Sequence, residues 1–522
     1  MPKFKDVPTL TTLALKSIGC LVVEMKPIII SRVKMQMDQP KIIKNLQKSI
    51  DILNDILVSY VPYHMYEIMA VEVLKAVKTL IDKTKKFYYP HISMSHFLME
   101  MNVAVSLTEV VLNSRLRSID FSEWPKIMRC VLYKNLEKMT GLENLNLGSC
   151  TGGWKNTEFD KNILDGIRNM KNLRHICLCF DCSDLIIQTL SENCPNLQSI
   201  DVTSSRSVTD RSIPYLLNCK NLKVLQLHGT SILYPGLVTL ISGLPKLQDI
   251  GRCDKFGHIV KYIRQNLPYV KSFGLKKIQT RDLCTEHLNI IVAMFPKLEY
   301  VSIFHDMQVA DLTILVSLDC LRELKLLSFA FYSHYLKQLI EIRGSNLTTL
   351  HLEHAEEMDF NALLHIGQYC PHLKNLVLYN CDFTYNMNLP TNNLQSGSYF
   401  RQLEHIFWVV DCAINPLDFV LTHAVNIKYV HLGSSTGITH ASIVNILRSN
   451  PMKYLEELRV LYSSDMSMRT VELLLASCPN LKVLSELESW QGITMEELKV
   501  FKNHISNSNF NLDIRPTLSF SS

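Results

Sequence analysis

Fifteen cysteines in 522 residues are the first feature of this chain with chemical consequences. A thiolate is a nucleophile and a soft metal ligand, so spacing decides whether such residues react, bind or pack. Cys179-Phe180-Asp181-Cys182 is a C-x-x-C pair with Cys177 beside it. A structural zinc needs a second pair, none follows, and the spacing therefore predicts no metal. His351-Leu352-Glu353-His354 gathers two imidazoles and a carboxylate. The zinc geometry of H-E-x-x-H depends on a helix, whereas this stretch reads as extended. Glu356-Glu357 just beyond it reads as solvated surface. The chain holds no G-x-x-x-x-G-K-[ST], no G-x-S-x-G and no H-E-x-x-H, and no cysteine is evidently paired with a histidine. Catalytic residues, metal and cofactor are each expected to be none.

What these residues do depends on the elements that carry them, and those elements repeat. Cys194-Pro195-Asn196-Leu197-Gln198-Ser199-Ile200-Asp201-Val202 is one copy of an L-x-x-L-x-L pattern in which Ile, Val or Phe replaces Leu. Other clear copies are Leu142-Leu145-Leu147, Leu173-Ile176-Leu178, Leu222-Leu225-Leu227, Leu321-Leu324-Leu326, Leu347-Leu350-Leu352 and Leu373-Leu376-Leu378. Weaker ones begin at Leu116, Leu247, Val270, Leu298, Leu403, Ile427, Leu455 and Leu481. The period is about 26 residues over roughly fifteen units, within the ~20–29 residues of a leucine-rich repeat. The L-x-L step puts two large side chains on one face of a strand, and the residues that follow return to a helical period. One such unit cannot bury its apolar face alone; a stack of them buries a continuous core. The fold expected is a right-handed, curved α/β leucine-rich-repeat solenoid with all strands parallel in one sheet and helices outside. Its strands are expected near 116–121, 142–147, 173–178, 197–202, 222–227, 247–252, 270–275, 298–303, 321–326, 347–352, 373–378, 403–408, 427–432, 455–460 and 481–485.

Three residues beyond the last apolar position a small polar group is frequent: Cys150, Asp181, Ser205, Thr230, Asp306, Cys381 and Ser435. Such a side chain can satisfy backbone groups where the chain leaves the strand. The joints Cys194-Pro195, Cys370-Pro371 and Cys478-Pro479 put a proline where each helix must end. With these joints the repeats resemble the cysteine-containing leucine-rich repeats of many ubiquitin-ligase substrate receptors.

Composition narrows the partners. A hydrophobic fraction of 47% and a charged fraction of 20% describe a globular chain with a large core. A net charge of +5 is small for this length, and the basic run Lys83-Thr84-Lys85-Lys86 reads as a solvated helix end, so nucleic acid is not an expected partner. No apolar run approaches the ~18 residues that span a bilayer, and Met1-Pro2-Lys3-Phe4-Lys5-Asp6 lacks a signal core. Many cysteines fall on repeat positions where a small thiol packs well. The expected protein is reduced and cytoplasmic, with the nucleus as the alternative compartment, and makes no contact with membrane.

Residues 1–105 lack the repeat and read as helical. Helices are expected from Val7 to about Val22, with Pro27 stopping continuation, from Ile42 to Val58, and from Val61-Pro62 to about Tyr88, ended by Tyr89-Pro90. On the first, Leu10, Ala14 and Ile18 recur at i, i+4 and i+8, a single stripe with a small residue in its middle. On the third, Val61, Pro62, Met65 and Met69 follow an apolar-Pro-x-x-apolar-x-x-x-apolar order. The first stripe resembles the box that docks onto elongin C, and the second resembles the cullin box of von Hippel–Lindau-box receptors. The resemblance implies elongin B/C and a cullin as partners, with Leu10 entering a pocket and Ala14 permitting close approach. The gap from Ile18 to Val61 is longer than in the shortest family members. An F-box docking a Skp-type adaptor is the competing reading, although no Val-Cys-x-x-Trp ending follows Val61-Pro62. Each stripe is also what an ordinary packed helix would show.

A solenoid binds on its sheet, so the third and fifth positions of each copy are the candidate contacts. Early strands offer Asn144/Asn146, His175/Cys177, Ser199/Asp201, Val224/Gln226, Asp249/Gly251 and Ser272/Gly274. Late strands gather His351, Asn375, Phe407, Tyr429, His431 and Arg459, with Tyr379 and Trp408 adjacent. Aromatic and arginine side chains dominate binding hot spots, so these six are the expected contacts for a protein substrate. The expected organisation is an adaptor-docking region at 1–105, repeats at 106–490 and a cap and tail at 491–522. The function expected is that of a non-catalytic substrate-recognition subunit of a cullin-RING ubiquitin ligase. A leucine-rich-repeat scaffold without a ligase link is the alternative from a different class.

Overall fold

A computed structural model describes residues 3–34, 39–86, 93–149, 159–266, 272–281, 283–304, 311–329, 331, 334–383, 399–410 and 416–516. Cys150, Asp306, Val270, Tyr88 and Tyr89-Pro90 lie outside these residues. The chain forms two compact units, Val7–Arg252 and Met1–Asp6 with Cys253–Ser522.

The first unit begins with five helices: α1 Leu10–Glu24, α2 Lys26–Lys34, α3 Gln39–Tyr60, α4 Tyr66–Lys86 and α5 Met94–Ser106. Thr9 caps α1, its hydroxyl accepting the Thr12 N–H at 3.1 Å. That cap starts the helix three residues later than expected, leaving Pro8 ahead of it. Pro27 does not end the helical run but opens α2 as its second residue, where a missing N–H costs no hydrogen bond. Strands then alternate with helices: β1 Ser118–Asp120, β2 Asn144–Asn146, β3 His175–Cys177, β4 Ser199–Asp201, β5 Val224–Gln226 and β6 Asp249–Arg252. They lie side by side in sequence order, and their pairing is parallel. Register aligns Ile119, Leu145, Ile176, Ile200 and Leu225 as one buried rung.

The second unit continues the pattern with β7 Lys277–Arg281, β8 Tyr300–Phe304, β9 Glu323–Leu327, β10 Thr349–Glu353, β11 Asn375–Tyr379, β12 His405–Val409, β13 Tyr429–Leu432 and β14 Glu457–Val460. Next come β15 Ser463–Ser467, β16 Val483–Ser485 and β17 Trp490–Gly492. β16 follows β14 in the main ladder, while β15 and β17 form a separate parallel pair. Its core rung runs Ile278, Val301, Leu324, Leu350, Leu376, Ile406, Val430, Leu458 and Leu484. All nine are buried, each against its neighbour one repeat away. This is the architecture of a leucine-rich-repeat α/β solenoid.

One strand is not where the pattern placed it. Residues 270–275 were expected to be extended, but the strand is β7, and the repeat is Leu275-x-x-Ile278-x-Thr280. Thr280 occupies a core position, its hydroxyl 3.2 Å from the Arg281 carbonyl, so the third apolar residue is disguised as a polar one. The outward pair of this repeat is accordingly Lys277/Gln279 rather than Ser272/Gly274.

Three of the described polar turn positions, Ser205, Thr230 and Cys381, bond backbone as inferred. The buried Ser205 hydroxyl donates to the Leu178 carbonyl at 3.2 Å and accepts the Cys182 N–H at 3.2 Å, stapling two repeats. Thr230 donates to Leu227 at 2.7 Å and Cys381 to Leu352 at 3.5 Å. In the late copy it is the buried Thr436, not the exposed Ser435, that bonds backbone, donating to Gly433. Cys194, Cys370 and Cys478 each terminate a helix and are buried, and burial pushes each thiol up to about 12. A second clip was not foreseen. The Asn before the first repeat leucine donates its amide to a carbonyl one repeat back, as in Asn221 to Pro195 (3.2 Å), Asn426 to Arg401 (2.8 Å) and Asn480 to Lys453 (2.6 Å).

The last strand is not left as an open edge. Asp513 pairs with β16, taking the Leu484 N–H on its carbonyl and donating to Lys482, which blunts a row of unpaired backbone groups. Beyond it Phe510 stacks on Phe4 at 5.1 Å.

Candidate protein-interaction sites

The first site is built on α1. Leu15, Gly19 and Val22 of this helix are buried, and the helix packs mainly on α4. The opposite side carries the stripe singled out in the sequence. Leu10 is 84% exposed, Ala14 is exposed and Ile18 is half-buried, with Leu13 and Leu21 (60% exposed) flanking them. A helix apolar all round is ordinarily enclosed, whereas α1 is covered along one face only. The sequence reading missed Leu13 and Leu21, which the i+3 and i+7 spacing from Leu10 and Ala14 would have added.

The second pattern is placed differently. Val61 is 8% exposed and Met69 is wholly buried, so both are core residues of this unit. Pro62 is exposed and Met65 half-buried. The corner between α3 and α4 is tied to the first repeat: Arg115 donates to the Val61 carbonyl at 3.0 Å, and Arg117 stacks 4.9 Å over the Tyr63 ring while donating to its hydroxyl. The buried Tyr66 hydroxyl donates to the Val111 carbonyl, and burial raises its pKa. Of the four pattern residues, Pro62 and the exposed part of Met65 are what is left for a partner.

The third site lies on the face of β9–β14 opposite the leucines. Residues at equivalent register give one row of His405 and Tyr429 beside Asn375, and a second of His351, Val377, Phe407, His431 and Arg459. The expected six therefore share one side of one ladder. His405 packs edge-on to Tyr429 (6.0 Å) and His431 (5.4 Å), and Phe407 lies 6.4 Å from both Tyr379 and His431. Trp408, expected beside them, is fully buried because its position in β12 points to the core.

The charges on this face are already engaged. Glu457 accepts from His431 at 2.5 Å and from Arg459, so Arg459 is not a bare cation awaiting a ligand. Burial pushes the Glu457 carboxyl up, but the Arg459 and His431 bonds outweigh it and hold the pKa below its ordinary value. Glu353 is placed alike: Lys325 lies 2.6 Å away and His351 2.7 Å away, and together they overcome its burial. His351 is pushed down by burial and by Lys325, and His405 by burial and by His431. Acid-driven tightening of a ligand through these two imidazoles therefore begins at a lower pH than an ordinary histidine would give. Asn375 is fixed by donating to the Thr349 hydroxyl at 3.0 Å.

A small cluster in the first unit brings together Cys177, Cys179 and Asp201. The C-x-x-C pair does not form a chelate, since Cys182 is buried with its sulfur on the Ser183 carbonyl. The thirteen described cysteines are free thiols, and no described helix is long and apolar enough to cross a membrane.

No family model matches this chain, and no curated protein matches it. Solved structures do. A leucine-rich-repeat protein of Leptospira interrogans is 14% identical, covering 79% of this chain and 91% of its own, with a TM-score of 0.32. An internalin (inlF) of Listeria monocytogenes is 16% identical, covering 76% and 93%, with a TM-score of 0.33. The yeast Rad7 and Elc1 complex contains a chain 15% identical, covering 74% and 97%, with a TM-score of 0.38. These scores lie below 0.5, and the fold assignment stands on the ladders and repeats described above.

Proposed function

We propose that this chain is the non-catalytic substrate-recognition subunit of a cullin-RING ubiquitin ligase. It docks elongin B/C through the uncovered face of α1 and holds a protein substrate on the outward face of β10–β14. The observation that carries the reading is α1 itself, whose Leu10, Ala14 and Leu21 are exposed while Leu15 and Val22 are buried. Leu10 is the anchor, and Ala14 lets a partner backbone approach. Pro62 and Met65 are what remains of the second box for a cullin. Nothing in such a subunit performs chemistry; ubiquitin transfer accelerates because the substrate is held near the charged conjugating enzyme at high effective concentration.

The test is co-purification with elongin C. Wild type retains it, Leu10→Ala weakens binding by a lost-anchor cost of about 2–4 kcal/mol, and Ala14→Arg abolishes it by clash and charge. Failure of wild type to bind, or unchanged binding by both variants, overturns the docking assignment. Capture of a Skp-type adaptor instead replaces it with the F-box reading, and capture of neither leaves a leucine-rich-repeat scaffold.

A further inference from the structure

We propose that Cys177, Cys179 and Asp201 form a site for one thiophilic divalent cation, zinc by its ligand chemistry, on the face of β3 and β4 opposite the core. The inference is independent of the ligase reading. It starts from register: Cys177 of β3 stands opposite Asp201 of β4, one strand spacing away. The ladder continues past the strand end, with the Leu178 N–H on the Asp201 carbonyl (2.8 Å) and the Phe180 N–H on the Thr203 carbonyl (2.9 Å). The chain is thus still extended at Cys179, and alternation returns its side chain to the face of Cys177 while Leu178 goes to the core. Phe180, at φ 69°, then turns the chain away.

The resulting donor spacing suits a tetrahedral metal. The two sulfurs are 3.6 Å apart, and the Asp201 carboxylate oxygens are 3.9 Å from Cys177 and 3.7 Å from Cys179. Zinc bonds of ~2.3 Å to sulfur and ~2.0 Å to oxygen at tetrahedral angles require roughly 3.8 Å between sulfurs and roughly 3.5 Å from sulfur to oxygen. Little movement separates the resting cluster from a coordinated one. The carboxylate is held for the purpose: Asp201 Oδ1 accepts the Thr203 N–H (3.0 Å) and hydroxyl (2.7 Å), the kind of outer contact that orients a metal ligand. All three ligands are half-buried, so water reaches the fourth vertex.

The electrostatics favour a cation as well. The contact between the two sulfurs raises Cys177 and lowers Cys179, while Asp201 opposes ionisation of both. A dication removes the repulsion that two thiolates beside a carboxylate would otherwise create. Binding displaces the thiol protons to solvent, so affinity rises with pH.

The experiment uses the full chain, reduced and stripped with a chelator, then titrated with Co²⁺. The expected result is one equivalent bound with a sulfur-to-cobalt charge-transfer band and strong tetrahedral visible bands, bleached by Zn²⁺. Asp201→Asn weakens binding by more than the ~10–100-fold that loss of an outer-shell partner costs. The Cys177→Ser/Cys179→Ser double variant loses the bands, whereas Cys182→Ser binds like wild type. Absence of the bands in wild type, or their survival in the double variant, overturns the site. A measurement on wild type alone guards against misfolded variants: Zn²⁺ must slow alkylation of Cys177 and Cys179, read by peptide mass, and an unchanged rate at both rejects the proposal.

Discussion

A β-carbon placed on Gly19 of α1 would lie 3.2 Å from the Cβ of Ala76 in α4 and 3.1 Å from the Glu72 carbonyl oxygen. The close approach of α1 to its neighbour is thus set by a glycine inside the unit, five residues along the helix from the exposed Ala14. Gly19→Leu has no room to enter and is expected to loosen α1 at an overpacking cost of about 1–3 kcal/mol. Gly19→Ala gains about 1 kcal/mol of helix propensity against a few tenths of an ångström of crowding, and should be close to neutral. Hydrogen exchange of α1 amides reads both; equal protection in wild type and Gly19→Leu would show that α1 does not depend on this contact.

The two faces of α1 predict opposite phenotypes. Leu10→Ala and Leu21→Ala remove exposed side chains and should leave the melting transition within the ±0.5 kcal/mol typical of surface changes. Leu15→Ala removes a buried one and should cost about 2–5 kcal/mol. Capture of elongin C should respond in the reverse order, with Leu10→Ala the weakest binder of these three variants. A melt in which Leu10→Ala is as damaging as Leu15→Ala would mean that its side chain is covered in solution.

The repeats were legible because their physics is periodic. Leu145, Leu225 and Leu376 recur in a fixed frame and are buried in that frame. The frame slips at β7, where the core position is held by the polar Thr280 and Phe273 offers an apolar residue at the wrong register. The site was less legible because partner choice within the fold is not periodic. Val61 and Met69 satisfy a docking pattern, yet local packing spends them on the corner that Arg115 and Arg117 hold. Likewise Cys179 and Cys182 carry the familiar spacing, but strand alternation pairs Cys179 with Cys177 and delivers Asp201 from a neighbour about one repeat away.

On the second unit, Phe407 and Tyr429 supply the aromatic area of the patch, and neither is part of the buried rung. A Phe407→Ala/Tyr429→Ala variant should keep its circular dichroism spectrum and lose the bound protein partner by about 2 kcal/mol or more, the scale of a hot spot. An Asn144→Ala/Asn146→Ala variant is the control on the early strands. Equal retention of partner by both places the binding surface elsewhere, and loss by the control alone would move it to β2.

The patch histidines set an acid limit on stability. His351 faces Lys325 and Glu353, and His405 faces Tyr429, His431 and Glu457. Burial holds both imidazoles below their ordinary value, so the folded state resists a proton that the unfolded chain accepts near pH 6.5. Where the unfolded state binds more protons, stability rises with pH. The contribution is therefore complete above about pH 6.5 and falls as pH drops from there through the folded pKa values. Glu457, depressed by Arg459 and His431, adds a loss only near and below the carboxylate range. Urea midpoints measured from pH 8 to pH 5 should fall in wild type and fall less in His351→Gln/His405→Gln, since the variant has lost two of the groups that must charge. Parallel slopes in the two proteins would assign the acid sensitivity to histidines elsewhere, His287 first among them, because it too is pushed down by burial.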